Sequence, residues 1–133
     1  MRAIVRRVLD DVQAHAREEV PRECCGMLLG SADSIVDSAR AANLEEGTTR
    51  FRIDPRDHIR AIRDARSRQL DVIGFYHSHP RSRAYPSATD VAEAGYAGAM
   101  HLIVGVDEQG AQEARLFTVD GASVTELVYA TTE

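Results

Sequence analysis

Lysine is absent from this 133-residue chain: all 16 basic side chains are arginine, against 21 acids, for a formal net charge of −5. A GC-rich genome accounts for the arginine bias. An acidic balance without a dense basic stripe argues against a dedicated nucleic-acid binder. Arg60, Arg63, Arg66 and Arg68 cluster, but acids lie among them on a helical stretch, where a solvated face explains them. Long apolar runs are missing as well. No stretch reaches the length of a membrane span, and Met1-Arg-Ala-Ile-Val-Arg-Arg7 has no apolar signal core behind it, so a cytoplasmic protein without a membrane partner is expected. Cysteine is limited to the adjacent pair Cys24 and Cys25. Neighbouring Cα atoms lie ~3.8 Å apart, below the usual disulfide range of ~4.4 Å and upward, so both are expected as buried, reduced thiols.

What is present suffices for one core: 44% hydrophobic residues, with no repeat, low-complexity tract or linker. We therefore expect a single α/β domain over residues 1–133. Val5, Val8, Leu9, Val12 and Ala16 recur at helical spacing and predict a helix over 3–19, ended by Pro21. His15 falls on its apolar side, where a histidine is more often a packing residue than a ligand. Gly26–Gly30 reads as a buried strand, and 34–43 and 50–53 as two more. Asp54 and Pro55 open a second helix as N-cap and first helical residue. Residues 71–77 form an apolar central strand, 88 to about Tyr96 a short helix, and 101–106 another strand. Stretches 112–119 and 123–129 predict a closing hairpin around Asp120-Gly121. Helices between strands imply a sheet covered on both faces.

The most informative segment is His77-Ser-His79-Pro-Arg-Ser-Arg-Ala-Tyr-Pro-Ser87-Ala-Thr-Asp90. Side chains two apart on a strand share a face, so both imidazoles can reach one metal ion. Asp90 can close a third position. Two His and a carboxylate, with the fourth place left to water, form a usual ligand set of a hydrolytic zinc centre. Ser87-Ala-Thr-Asp90 is equally a helix capping box, and by itself would be only that. Glu23 alone would pass for a surface acid. His58 and His101 have no motif partners; the first is expected on a solvated helix face, the second packed or at a strand start.

Taken together, Glu23, His77-x-His79, seven residues, Ser87, two residues and Asp90 resemble the signature of the JAMM (MPN+/Mov34) zinc metalloprotease family, in its free-standing prokaryotic form. Pro21-Arg-Glu23-Cys-Cys-Gly26-Met-Leu-Leu-Gly30 and Phe51-Arg-Ile-Asp-Pro55 also fit the family layout. The resemblance implies an MPN-type domain, a mixed curved sheet with helices on both faces, similar to cytidine deaminases. It implies one zinc ion per chain held by His77, His79 and Asp90, with Glu23 as general acid/base and Ser87 assisting the tetrahedral intermediate. Zinc lowers the pKa of a bound water to about 7, a neighbouring carboxylate moves its proton, and a hydroxyl donor steadies the oxyanion.

The resemblance further implies hydrolysis of a peptide or isopeptide bond after the C-terminal tail of a small ubiquitin-like sulfur carrier protein, the tail pairing with a strand edge. Arg81 and Arg83, between the ligands, are expected to hold the free carboxylate of a short leaving group, or else simply to solubilise the loop. The alternative is a catalytically silent scaffold of the same fold that binds ubiquitin-like proteins, although no motif position is missing. The Pro-Cys-x-x-Cys of nucleoside deaminases and the His-Glu-x-x-His of gluzincins are absent. Whether the chain forms a homodimer stays open.

Overall fold

The computed structural model describes residues 1–95, 98–107, 109–110 and 112–133. In chain order these form β1 (Arg2–Val5), α1 (Arg6–Glu19), β2 (Cys25–Ser31), β3 (Ser34–Ala41), α2 (Pro55–Ser67), β4 (Asp71–His79), α3 (Ala88–Glu93), β5 (Met100–Val106), β6 (Gln112–Asp120), β7 (Ser123–Leu127) and β8 (Tyr129–Thr132). All eight strands join one mixed sheet in the order β7-β6-β5-β4-β2-β3-β1-β8. β4 runs parallel to β5, and β1 parallel to both β3 and β8, while the remaining pairings are antiparallel. None of the described helices is long and apolar enough to cross a membrane.

Helices cover both faces, as expected. Val8, Leu9, Val12 and Ala16 of α1 pack on Leu28, Ile35, Tyr76, Leu102, Val104 and Leu116. Burying each of the larger aliphatic side chains is worth roughly 1.5–3 kcal/mol, enough to hold an amphipathic helix in place. On the opposite face α2 presents Ala61 and Ala65 to Cys25, Met27 and Leu29, small side chains that let the helix lie close. Its N-cap is Asp54, whose Oδ1 accepts the Arg56 N–H at 2.9 Å, with Pro55 at the first helical position. His15 is buried, and its Nδ1 meets the Tyr76 hydroxyl at 2.8 Å: a satisfied core histidine. Both cysteines are buried free thiols, their pKa values pushed up by burial to about 11 for Cys24 and about 12 for Cys25.

The sheet is rolled. β7 and β8 lie at its opposite margins, yet Val128 alone separates them, and Tyr129 on β8 donates its hydroxyl to the Ala114 carbonyl on β6 at 2.8 Å. Here the expected hairpin is corrected: its antiparallel pairing ends at Leu127, and Tyr129 belongs to the other margin. Three further expectations change. The first helix begins at Arg6 because Arg2–Val5 is drawn into the sheet between β3 and β8. Residues 50–53 form no strand; the Asn43 side chain takes the Arg50 carbonyl and Arg52 N–H, leaving one isolated bridge, Asn43 to Ile53. The short helix stops at Glu93, and the expected end at Tyr96 lies outside the described residues.

Candidate active site

The site forms where β4 ends beside the start of β2. Phe75, His77 and His79 alternate onto the α2 side of β4, and His77 is the Cα partner of Cys25. Ser78 points the other way: its Oγ accepts the Cys24 N–H at 2.8 Å, and its own N–H donates to the Cys24 carbonyl at 3.2 Å. That exchange ties the approach to β2, and Glu23 with it, alongside the two imidazoles. Asn43 donates from Nδ2 to the Glu23 carbonyl at 3.0 Å and so fixes the same backbone from the other flank. Phe51 stacks on the His77 ring with centroids 4.4 Å apart.

Three donor atoms converge. His77 Nε2 and His79 Nε2 stand 3.1 Å apart, and Asp90 Oδ2 lies 3.1 Å from the first and 3.0 Å from the second. Tetrahedral zinc at ~2.0–2.1 Å from each donor would separate the donors by about 3.3 Å, so the triangle is close to the one such an ion requires. Proton positions strengthen the fit. His79 Nδ1 meets the Arg83 carbonyl at 2.8 Å, and a carbonyl only accepts, so Nδ1 carries the hydrogen. In neutral His79 the Nε2 lone pair then faces a carboxylate oxygen, an arrangement that calls for a cation between them. The donor set therefore fits zinc.

Asp90 has two duties. Its Oδ2 accepts the Ser87 N–H at 2.9 Å while Ser87 Oγ accepts the Asp90 N–H at 3.0 Å, a complete capping box at the start of α3. Burial works to raise the Asp90 pKa, but both imidazoles and the Ser87 N–H outweigh it and hold the carboxyl well below the usual carboxylate range. Burial lowers the His77 pKa; for His79 the same burial is overcome by Asp90 and the Arg83 carbonyl, and the value rises. Glu23 is buried, and its ligand-capable oxygen lies within 4.8 Å of both imidazole donors. Its Oε1 is enclosed without a hydrogen-bond partner, and burial pushes its pKa up to about 7. A carboxyl in that state can both take and release a proton near neutral pH.

The family described as prokaryotic homologs of the JAB domain matches residues 5–119. The chain belongs to this family. Among curated proteins it is 35% identical over 105 residues to a desampylase of Haloferax volcanii, covering 74% of this chain and 76% of that one. It is 31% identical over 115 residues to the CysO-cysteine peptidase of Mycobacterium tuberculosis, covering 85% and 79%. Among solved structures, a solution structure from Desulfitobacterium hafniense superposes with a TM-score of 0.89 at 28% identity over 100% of this chain and 94% of that one. The fold likeness extends to a structure described as a JAMM metalloprotease-like zinc site in the proteasome and signalosome, with TM-score 0.61, 21% identity, and coverage of 100% and 99%.

In this JAB domain Glu23, His79, Ser87, Arg81, Thr48 and Thr49 line one cavity of ≈ 460 Å³. Arg83 does not share it. Its side chain faces a neighbouring cavity and pairs with Glu113, Nε to Oε1, at 3.8 Å. Arg81 lines that neighbouring cavity too, so the two arginines share one space and Arg81 alone of the pair also reaches the cavity beside Glu23. The strands around the site, β2, β4, β5 and β6, are each flanked on both sides, so the free edges of the sheet lie elsewhere, at β7 and β8. His101 is half-buried at the start of β5, with rings of Phe75 and His101 6.3 Å apart, and His58 meets Phe75 edge-on at 5.3 Å rather than standing on a fully solvated face. Sequence reasoning did not single out Asn43, Phe51 or Thr48 and Thr49 as site residues. Only Phe51 carried a signal, as part of the Phe-Arg-Ile-Asp-Pro stretch.

Proposed function

We propose that this JAB-family protein is a zinc-dependent peptidase that hydrolyses the peptide or isopeptide bond following the C-terminal tail of a small ubiquitin-like sulfur carrier protein, residues 1–133 acting as one domain. The observation that carries the reading is the triangle of His77, His79 and Asp90 donors beside a buried carboxyl with an unpartnered oxygen. The names of the relatives, a desampylase and a CysO-cysteine peptidase, support the substrate class.

His77, His79 and Asp90 would hold the zinc, which, when bound, acts as a Lewis acid and brings a water's pKa to about 7. Glu23 accepts the proton of the attacking water and delivers it to the departing amine. Its burial, which raises the carboxyl's pKa to about 7, keeps this transfer near neutral pH. The Ser87 Oγ lone pair is engaged by the Asp90 N–H, so its hydrogen is free to point into the cavity and donate to the oxyanion forming on the attacked carbonyl. Residues 48–49 with Pro80–Ser82 bound the channel through which an extended tail reaches the metal. Arg81, exposed in that wall, binds the free carboxylate of a short leaving group. Arg81→Ala should then raise KM with kcat little changed; equal kinetics on a carrier bearing one extra amino acid would remove that role.

The test of the whole reading combines metal analysis with turnover. Protein purified without added metal should carry about one zinc per chain on the three-ligand argument. Glu23→Gln should keep the zinc and lose about 10²–10⁴-fold in kcat on a ubiquitin-like fusion, with the cleaved bond identified by mass spectrometry. His77→Ala should lose both metal and turnover. Full activity in Glu23→Gln would refute the assignment of the base.

A further inference from the structure

Across three neighbouring strands, His79 of β4, Gly105 of β5 and Glu113 of β6 are Cα partners in a single row. The chain leaving His79 folds back over this row. A Cβ on Gly105 would stand 2.6 Å from the Ala84 nitrogen, 2.8 Å from the Ser82 carbonyl oxygen and 2.9 Å from the Arg83 carbonyl carbon, so the loop rests directly on a bare backbone. Ala84 is fully buried against Ile103 and Phe117. From the next strand Glu113 rises beside the glycine, and its Oε1 accepts the Ala84 N–H at 3.0 Å while pairing with Arg83. Between these anchors lies the Arg83 carbonyl that takes the His79 Nδ1 hydrogen.

We propose that Glu113 is a positioning residue for the metal centre: with Gly105 as its platform, it seats the Arg83–Ala84 peptide so that the Arg83 carbonyl fixes the tautomer and rotation of His79. The inference rests on His79 being a zinc ligand. A metal-bound imidazole depends on the partner of its other nitrogen, and loss of such partners weakens metal binding by about 10–100-fold. Glu113 acts one bond further out, so the lower end of that range applies. Glu113 and Gly105 do not line the cavity that holds Glu23 and Ser87. Arg83 also gains a different role from the one its sequence position suggested, contributing its backbone to the site and its side chain to the seat.

Zinc affinity measured by chelator competition reads this directly, without turnover. Glu113→Met keeps the side-chain length and removes the acceptor; it should bind zinc about tenfold more weakly. Glu113→Gln keeps an acceptor oxygen for Ala84 and should stay within about twofold of the parent. Glu113→Ala serves as a second deletion should the Met variant not fold, and thermal unfolding of the metal-free forms controls for general damage. Parent-like zinc affinity in both deletions, or equal weakening in Glu113→Gln, would overturn the seat. A parent protein that binds no zinc would instead overturn the peptidase reading, and this inference with it.

Discussion

Replacing Asn43 with leucine, which keeps the branched heavy-atom skeleton, removes four hydrogen bonds at once. Its Nδ2 donates to the carbonyls of Glu23 (3.0 Å) and Arg50 (3.2 Å), and its Oδ1 accepts from the N–H groups of Glu45 (2.9 Å) and Arg52 (3.0 Å). At about 1 kcal/mol net each, the ceiling is about 4 kcal/mol. The bonds to Arg50 and Arg52 are exposed, and water replaces them at little cost. Those to Glu23 and Glu45 are partly buried, which leaves an expected loss of about 2 kcal/mol. For a chain of this length that corresponds to a fall in Tm of about 6–10 °C. Equilibrium unfolding in urea with an unchanged m-value is the assay. Because the Glu23 backbone loses its flank support, kcat should fall as well, while zinc content holds, since His77, His79 and Asp90 sit on β4 and α3. A stability change under about 0.5 kcal/mol would refute the hydrogen-bond accounting.

Gly26→Ala would place a Cβ 2.3 Å from Tyr76 Cε2 and 2.4 Å from the Ala39 carbonyl oxygen. Tyr76 is buried and bonded to His15, so it has no room to yield, and the cost should be about 3 kcal/mol; a urea midpoint equal to the parent's would show that β2 and β3 adjust freely. His15 tests the pH dependence. Burial lowers its pKa below 6.5, so the unfolded chain takes up a proton that the fold excludes. Its contribution is complete above pH 6.5 and is lost as pH falls below it. Glu23 works oppositely in the metal-free protein, its penalty growing as pH rises from 4.5 through about 7. The measurement is therefore the difference between parent and His15→Gln: the variant should lose less stability between pH 7.5 and 5.5, and equal losses would rule the effect out.

Residues whose role depends on a local repeat were visible in the sequence, and those acting through distant contacts were not. The two-residue spacing at the end of the apolar run from 71 showed that His77 and His79 share a face, and the capping-box pattern located Ser87 and Asp90 at a helix start. Both are properties of a few consecutive residues. β1 was hidden because Arg2–Val5 continues the helical spacing of α1, and only pairing with β3 and β8, far along the chain, makes it a strand. Val128 broke the expected closing strand for a related reason: rolling of the sheet sends the next four residues to the opposite margin. Asn43 and Glu113 are single polar residues in unremarkable surroundings. Their importance lies in what they reach, a backbone 20 residues away for Asn43 and 29 for Glu113, and no periodicity announces such contacts.

Helix α3 has no buried side chain among its six residues. Among the described residues, Asp90 of this helix faces the two imidazoles and Glu93 pairs with Arg50. On the proposed reading, the first of these moorings runs through the metal. Loading the ion and firming up that wall of the channel then become a single event, so that the empty enzyme would lack a well-shaped receptor along with its reactive water. Hydrogen exchange at the α3 amides would slow as zinc is added, reporting occupancy through the helix that carries the third ligand.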